Sequence, residues 1–255
     1  MSAGSVSPNE KVGVTIVHED EHLVIVNKRA GLVTQPGVGH EHDTLLNGLF
    51  ATHGARLAKL GKARDYGLVH RLDRDTSGLL VVALTPGAYD ALRSAFESRS
   101  VRKFYLAICA KTPRAQAGVI NKAIAETQPR ANKYGAVVVP KRAKISVTGK
   151  PATTAYRVVS SSPAGALIEA RPLTGRLHQV RVHLESIGCA ILGDRDYAPD
   201  ALREASPRLA LHAHRLGFAH PGTGLAVEWS AAMPKDLRTV MKSLGLSLDG
   251  GGREG

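Results

Sequence analysis

The chain has 255 residues, enough for one domain or two small ones, and 43% apolar residues supply the material for a substantial core. Lys and Arg number 34 against 22 Asp and Glu, so the formal charge is +12, which favours a phosphate backbone or an acidic membrane as partner. No run of 18 apolar residues and no charged-then-apolar leader occurs, so membrane-spanning and secreted classes lose support.

In chain order, residues 1–11 are rich in Ser, Pro and Gly and are expected to be disordered. Val12, Val14 and Ile16 alternate, Glu19-Asp20-Glu21 makes a turn, and Leu23-Val24-Ile25-Val26 continues as a second strand, so a hairpin is predicted. Gln35 to Asp43, with Pro36, Gly37 and Gly39, reads as a loop before a helix over Thr44 to Phe50, while 51–65 is a basic segment with no assigned element.

His70-Arg71-Leu72-Asp73-Arg74-Asp75-Thr76-Ser77-Gly78 then runs directly into an apolar strand, Leu79 to Leu84, which places a polar cluster at the mouth of a buried, rigid element. Turn and cap chemistry accounts for Asp75 to Gly78. It leaves Arg71 and Asp73 unexplained.

Thr85-Pro86 reads as the cap and first residue of a helix with Tyr89, Leu92 and Phe96 on one face, followed by a strand from Arg102 to Ala110. Asn121 to Lys150 carries Lys122, Arg130, Lys133, Lys141, Arg142, Lys144 and Lys150 with almost no acids, and reads as a mobile, RNA-facing insertion. Val158-Val159 and Leu167 to Ala170 are predicted strands around a Pro163–Gly165 turn. Thr174 is predicted to open a helix whose buried face is Leu177, Val180, Leu184 and Ile187, with Gly188 as its stop. Arg176 then sits at a helix start, where a cation is mildly unfavourable and invites a carboxylate partner. Leu211 to Phe218 and Leu225 to Trp229 form a predicted hairpin, Leu237, Val240, Met241 and Leu244 a last helix, and 245–255 a disordered tail. Cys109 and Cys189 lie in apolar contexts without Cys-x-x-Cys spacing and read as buried thiols suited to a reducing cytoplasm.

The stretch His70 to Leu80 resembles the signature of the RluA family of pseudouridine synthases, His-Arg-Leu-Asp-x-x-Thr-Ser-Gly. The resemblance continues through Lys103-Phe104-Tyr105, through Leu173 to His183, through Ile191-Leu192-Gly193-Asp194, and through Leu211-His212-Ala213 with His220-Pro221. Asn27-Lys28-Arg29-Ala30-Gly31 is similar to the family's first motif, with Arg29 in place of the usual Pro, which removes a ring that would fix one dihedral. Leu84 stands where a Lys is common. The third motif is closest to members without an N-terminal S4 domain.

The resemblance implies an α+β fold, a mixed, largely antiparallel central sheet with flanking helices and an active-site cleft across it, formed by a single catalytic domain over 12–244. It implies an isomerase that breaks the sugar–nitrogen bond of a uridine in RNA, turns the base and rejoins it through carbon 5. Asp73 is the implied catalytic carboxylate, by attack on the sugar or by removal of a sugar proton. Arg176 is its implied ion-pair partner, with a planar fork suited to a carboxylate. Tyr105 would stack on the detached base and take its proton. Arg71 would replace the flipped uridine in the RNA stack, with His70 and Arg74 as further RNA contacts. An isomerisation of this kind needs no cofactor and no metal. The implied partner is an rRNA or tRNA stem-loop, and a cytoplasmic monomer without an obligatory protein partner is expected.

Three rival readings are weaker. A nucleoside or glycoside hydrolase would need a second acid such as Asp75 or Asp194; a silent RNA-binding protein rests on charge alone; and a zinc site would use His212, His214 and His220. His-Arg-Leu-Asp also has a superficial likeness to a kinase catalytic loop, but no Gly-rich loop precedes it and no Asp-Phe-Gly follows.

Overall fold

The computed structural model describes residues 6–128, 130–131, 137–139 and 141–248. The predicted first hairpin is β1 (Ile16–Glu19) and β2 (Leu23–Lys28), paired antiparallel with Glu19 opposite Val24. Thr44 opens α1 (Leu45–Leu60) through a capping box: the Thr44 amide donates to Asn47 Oδ1 at 3.1 Å and the Asn47 amide to the Thr44 hydroxyl at 3.4 Å. The helix continues ten residues past the predicted Phe50 because Leu46, Phe50, His53, Leu57 and Leu60 keep one face buried. A short 3-10 stretch, Lys62–Gly67, leads to β3 (Ser77–Ala83), buried at all seven positions, and Thr85 caps α2 (Pro86–Glu97).

The chain continues with β4 (Arg102–Cys109), β5 (Ala117–Asn121), β6 (Ile124–Glu126), β7 (Arg130–Ala131), β8 (Val137–Val139), β9 (Ala143–Ile145), β10 (Thr153–Ser162) and β11 (Gly165–Pro172). It ends with α3 (Gln179–Glu185), α4 (Asp200–Arg203), β12 (Leu211–Ala219), β13 (Ala226–Ser230) and α5 (Lys235–Ser243). This is an α+β fold with mixed, largely antiparallel strand pairing and flanking helices, as expected. The basic 121–150 segment contains two strand pairs, β6 with β9 and β7 with β8. Lys133 and the rest of 132–136, with 129 and 140, lie outside the described residues.

Two compact units make up the chain: Met1–Lys103 with His212–Ala232, and Phe104–Leu211 with Met233–Gly255. In the first, β2 lies between β1 and β3, β3 pairs in parallel with β12, and β12 pairs with β13. Gly78, at φ +120°, sits opposite Ala213 in that parallel pairing, and a Cβ at 78 would collide with the Ala213 backbone. In the second unit β4, β11, β10 and β5 form an antiparallel ladder. Leu106, Ile108, Leu167, Ile168, Leu184 and Leu237 belong to its main core.

Of the ends expected to be disordered, residues 6–11 and 245–248 are described. The Asn9 amide donates to the Asn47 carbonyl at 3.0 Å, and the Ser7 carbonyl accepts from Asn47 Nδ2 at 2.8 Å. Leu246 is buried in the second unit's core, and the Ser247 amide donates to the Ser160 hydroxyl at 3.2 Å.

In the first unit Asp20 ties the β1–β2 turn to the β12–β13 hairpin. Its Oδ1 accepts from the His22 and Leu23 amides at 2.7 and 3.0 Å, and its Oδ2 meets Nε2 of His18 at 3.0 Å and of His220 at 2.9 Å. Burial alone would raise the Asp20 carboxyl, but these hydrogen bonds outweigh it and hold the group far below the usual carboxylate range. A folded-state value below the unfolded one, about 3.9, contributes stability that is present above that pH and lost as pH falls. Asp20→Asn is therefore expected to lower stability near neutral pH, with the gap to wild type narrowing as pH drops below about 4. Urea titrations across pH measure it; a gap of constant size would contradict the assignment.

Candidate active site

Residues 68–76 form an irregular connection into β3, held within the first unit by the His70 ring and by the carbonyls of Leu72 and Arg74. His70 accepts the Val81 amide on Nε2 at 3.1 Å and stacks on Phe96, ring centroids 4.6 Å apart. The Leu72 carbonyl accepts from the Thr34 hydroxyl at 2.8 Å, and the Arg74 carbonyl from Lys28 Nζ at 3.0 Å. The Thr76 amide closes a turn on the Asp73 carbonyl at 3.2 Å. These contacts fix the chain immediately before and after Asp73. Leu72 is buried, Arg71 is exposed, and Asp73 is half-buried.

Among the described residues, Lys28 is the largest fully buried side chain. Its three N–H donors meet three carbonyls, Leu32 at 2.7 Å, Arg74 at 3.0 Å and Arg29 at 3.1 Å. One ammonium thus ties the loop that follows β2 to the turn that follows Asp73. The position of Arg29, without a proline ring, is held by hydrogen bonding.

The ring of His70 has a structural task. With Nε2 accepting a backbone N–H, the imidazole is neutral and its proton resides on Nδ1. Burial, with the Lys103 charge adding to it, lowers the His70 pKa to about 3. The ring is a brace for the Asp73 segment and carries no charge for a phosphate. Arg74 forms a two-point pair with Asp75, Nε to Oδ1 at 3.2 Å and Nη2 to Oδ2 at 3.3 Å.

Tyr105 and Arg176 belong to the second unit, so the three proposed catalytic residues are divided two and one between the units. Tyr105 stands on β4 opposite Ala170 of β11, half-buried against the second unit's core. Arg176 is not at a helix start. The helix begins only at Gln179, because His178 adopts a left-handed conformation, φ 51°. The side chain of Gln179 organises residues 173–178 instead: its Oε1 accepts the Arg176 amide at 3.0 Å and the Thr174 hydroxyl at 2.7 Å. Its Nε2 donates to the Thr153 carbonyl at 2.9 Å. The helix-dipole argument for Arg176 therefore fails, and the guanidinium is instead held in a clamped loop, its Nε donating to the Pro151 carbonyl at 3.2 Å. Behind that loop, Arg181 makes a buried two-point pair with Asp194 at 2.8 and 2.6 Å.

Two of the three histidines weighed as zinc ligands, His212 and His220, serve hydrogen bonding. His212 Nε2 faces the Ala231 carbonyl at 3.2 Å and must donate, so Nδ1 accepts the Ser77 hydroxyl at 2.9 Å; His220 is engaged with Asp20. Among the described residues no group of three His, Cys, Asp or Glu side chains is arranged to hold a metal ion, and no helix is long and apolar enough to cross a membrane.

Residues 22–186 match the family model described as RNA pseudouridylate synthase. The chain is 41% identical over 245 residues to ribosomal large subunit pseudouridine synthase D of Zymomonas mobilis, spanning 93% of this chain and 75% of that protein. It is 35% identical to the uncharacterized RNA pseudouridine synthase YlyB of Bacillus subtilis, over 92% of this chain and 74% of that one. Among solved structures, human RNA pseudouridylate synthase domain containing 4 superposes with a TM-score of 0.68 at 27% identity, covering 91% of this chain and 94% of the human one.

Because the Lys28 ammonium is buried with its donors matched, Lys28→Met keeps the stem and strips three carbonyls of a donor. The expected cost is about 1–3 kcal/mol of stability, with a loss of turnover of roughly tenfold or more as the Asp73 turn loosens. Denaturant unfolding and turnover on RNA measure the two. Unchanged turnover in a folded variant would exclude Lys28 as the anchor of the Asp73 turn.

Proposed function

Given that this chain belongs to the RNA pseudouridylate synthase family, and is thus an isomerase converting uridine in RNA to pseudouridine, we propose that its substrate is large-subunit ribosomal RNA and its catalytic carboxylate is Asp73. The names of the relatives, synthase D of the large ribosomal subunit, support that choice of RNA. The observation that carries Asp73 is the pinning of its neighbours at 70, 72 and 74, which fixes a half-buried carboxylate at the mouth of a fully buried strand.

The reaction breaks the bond from the anomeric carbon to base nitrogen 1, turns the base, and joins the same carbon to base carbon 5. The carbon-5 proton leaves and nitrogen 1 gains one, so the atoms balance. Asp73 acts at the anomeric centre, where an ionised carboxylate meets developing positive charge. Tyr105 stacks on the detached base and takes the carbon-5 proton. Arg176 is the ion-pair partner of the reacting carboxylate, with a planar fork suited to it. Arg71, exposed two residues before Asp73, takes the place of the extruded uridine in the RNA stack. Arg74 contacts RNA beside it.

The proposed catalytic domain covers 12–244, supported by a family match that runs through residues of both units. All the proposed reacting groups lie on this one chain, so the reading needs neither a second copy nor a protein cofactor. A ribosomal RNA substrate supports a cytoplasmic location.

Asp73→Asn keeps the shape of the side chain and removes its charge. The variant is expected to lose turnover while its affinity for ribosomal RNA stays within about twofold of wild type, measured by nucleoside analysis and by binding at fixed salt. Near-wild-type turnover in the variant would exclude Asp73. Free uracil as the wild-type product would mean hydrolysis and overturn the isomerase reading.

A further inference from the structure

Among the described residues, the Tyr197 hydroxyl is a meeting point of two segments with different proposed tasks. It lies 2.7 Å from Nδ1 of His178, two residues after Arg176, and 2.8 Å from the amide nitrogen of Ala143 in β9 of the basic segment. The Ala143 N–H can only donate, so the phenolic oxygen accepts there, and the same hydroxyl shares a hydrogen bond with His178 Nδ1. Burial pushes the phenol up to about 12, so the proton is retained throughout the physiological range.

The tie does not stand alone. Arg142, the residue before Ala143, pairs with Asp196 at 3.0 Å, and Asp196 also accepts from Arg181 at 2.7 Å. The Arg181 guanidinium lies over the Tyr197 ring, 4.8 Å from its centroid. Ile124 and Ala143 of the hairpin share a small apolar cluster with Val182, against which Leu177 and Tyr197 pack. Lys141 and Lys144, on either side of that buried contact, are exposed.

We propose that Tyr197 is a positioning residue through which the β6–β9 hairpin sets the place of Arg176, so that RNA phosphates held by the hairpin cations fix the guanidinium for catalysis. This rests on the reading of Arg176 given above. The geometry has a specific consequence: the hydroxyl, and not the ring, carries the link. Tyr197→Phe keeps the apolar packing and the contact with Arg181 and removes only the bridge between Ala143 and His178.

The full-length protein is compared with Tyr197→Phe, Arg176→Lys and the double variant, for kcat and KM on ribosomal RNA and for hydrogen exchange of the 142–146 and 174–178 amides without RNA. The expected result for Tyr197→Phe is faster exchange at Ala143 and a fall in kcat of about tenfold, with KM changed less than about twofold. Added to Arg176→Lys, it should lower kcat by no more than about twofold further, because both changes disable one element. A purely structural role would lower melting temperature and kcat additively, without that saturation. If Arg176→Lys leaves kcat unchanged, the reading of Arg176 falls and this inference with it. If Arg176→Lys lowers kcat while Tyr197→Phe does not, or multiplies the loss in full, the coupling alone is overturned. Should Tyr197→Phe fail to fold, His178→Asn removes the ring nitrogen that meets the Tyr197 hydroxyl and suits the left-handed backbone at 178, and the same saturation is expected of it.

Discussion

A buried ammonium has three donors to satisfy and an appreciable desolvation cost to offset. In this chain Lys28 meets that requirement with carbonyls of two different loops, and the arrangement around Asp73 follows from it. Were the Arg74 carbonyl to leave Lys28, one N–H of a buried ammonium would lose that acceptor. The turn from Asp73 to Thr76 is consequently fixed at its centre, while Thr34 and His70 fix the residues before it. A carboxylate that must meet an anomeric carbon needs such support, because displacements of about 1 Å are costly to rate. β3 completes the mounting: seven buried residues, paired on one side with β2 and at its start with β12.

The second unit solves the same problem with a polar clamp. Gln179 spends its amide on residues 174, 176 and 153, and His178 turns the chain in the left-handed region just before α3. Behind the clamp the Arg181–Asp194 pair is buried on both sides, so removing either partner would leave an uncompensated charge. Loop geometry at Arg176 is therefore determined by side-chain hydrogen bonds rather than by helical propensity.

Much of this was legible in the sequence. Strand alternation and Gly-Pro punctuation placed the hairpins, the Thr85-Pro86 cap placed α2, and the apolar run after Gly78 marked the buried strand. Three features escaped for identifiable reasons. The second half of α1 carries His53 in its buried stripe, its ring meeting Glu19 at 3.2 Å, and a histidine there breaks an apolar pattern without breaking the helix. The late start of α3 depends on Gln179 bonding back to Arg176 and Thr174, and on the left-handed His178, neither of which a helical period reveals. The neutral, bracing state of His70 depends on the Val81 amide eleven residues away. Lys28 did carry a signal, a lysine at the end of an apolar strand inside a recognised motif, but its partners are set by tertiary structure alone.

An active centre built on a braced carboxylate should leave a mark in the cell's RNA. The most direct measurement is a transcriptome-wide map of pseudouridine in the source organism with and without this chain. The account predicts that one or a few uridines of large-subunit ribosomal RNA lose their modification and regain it when the intact chain is restored. An identical map in its absence would contradict it.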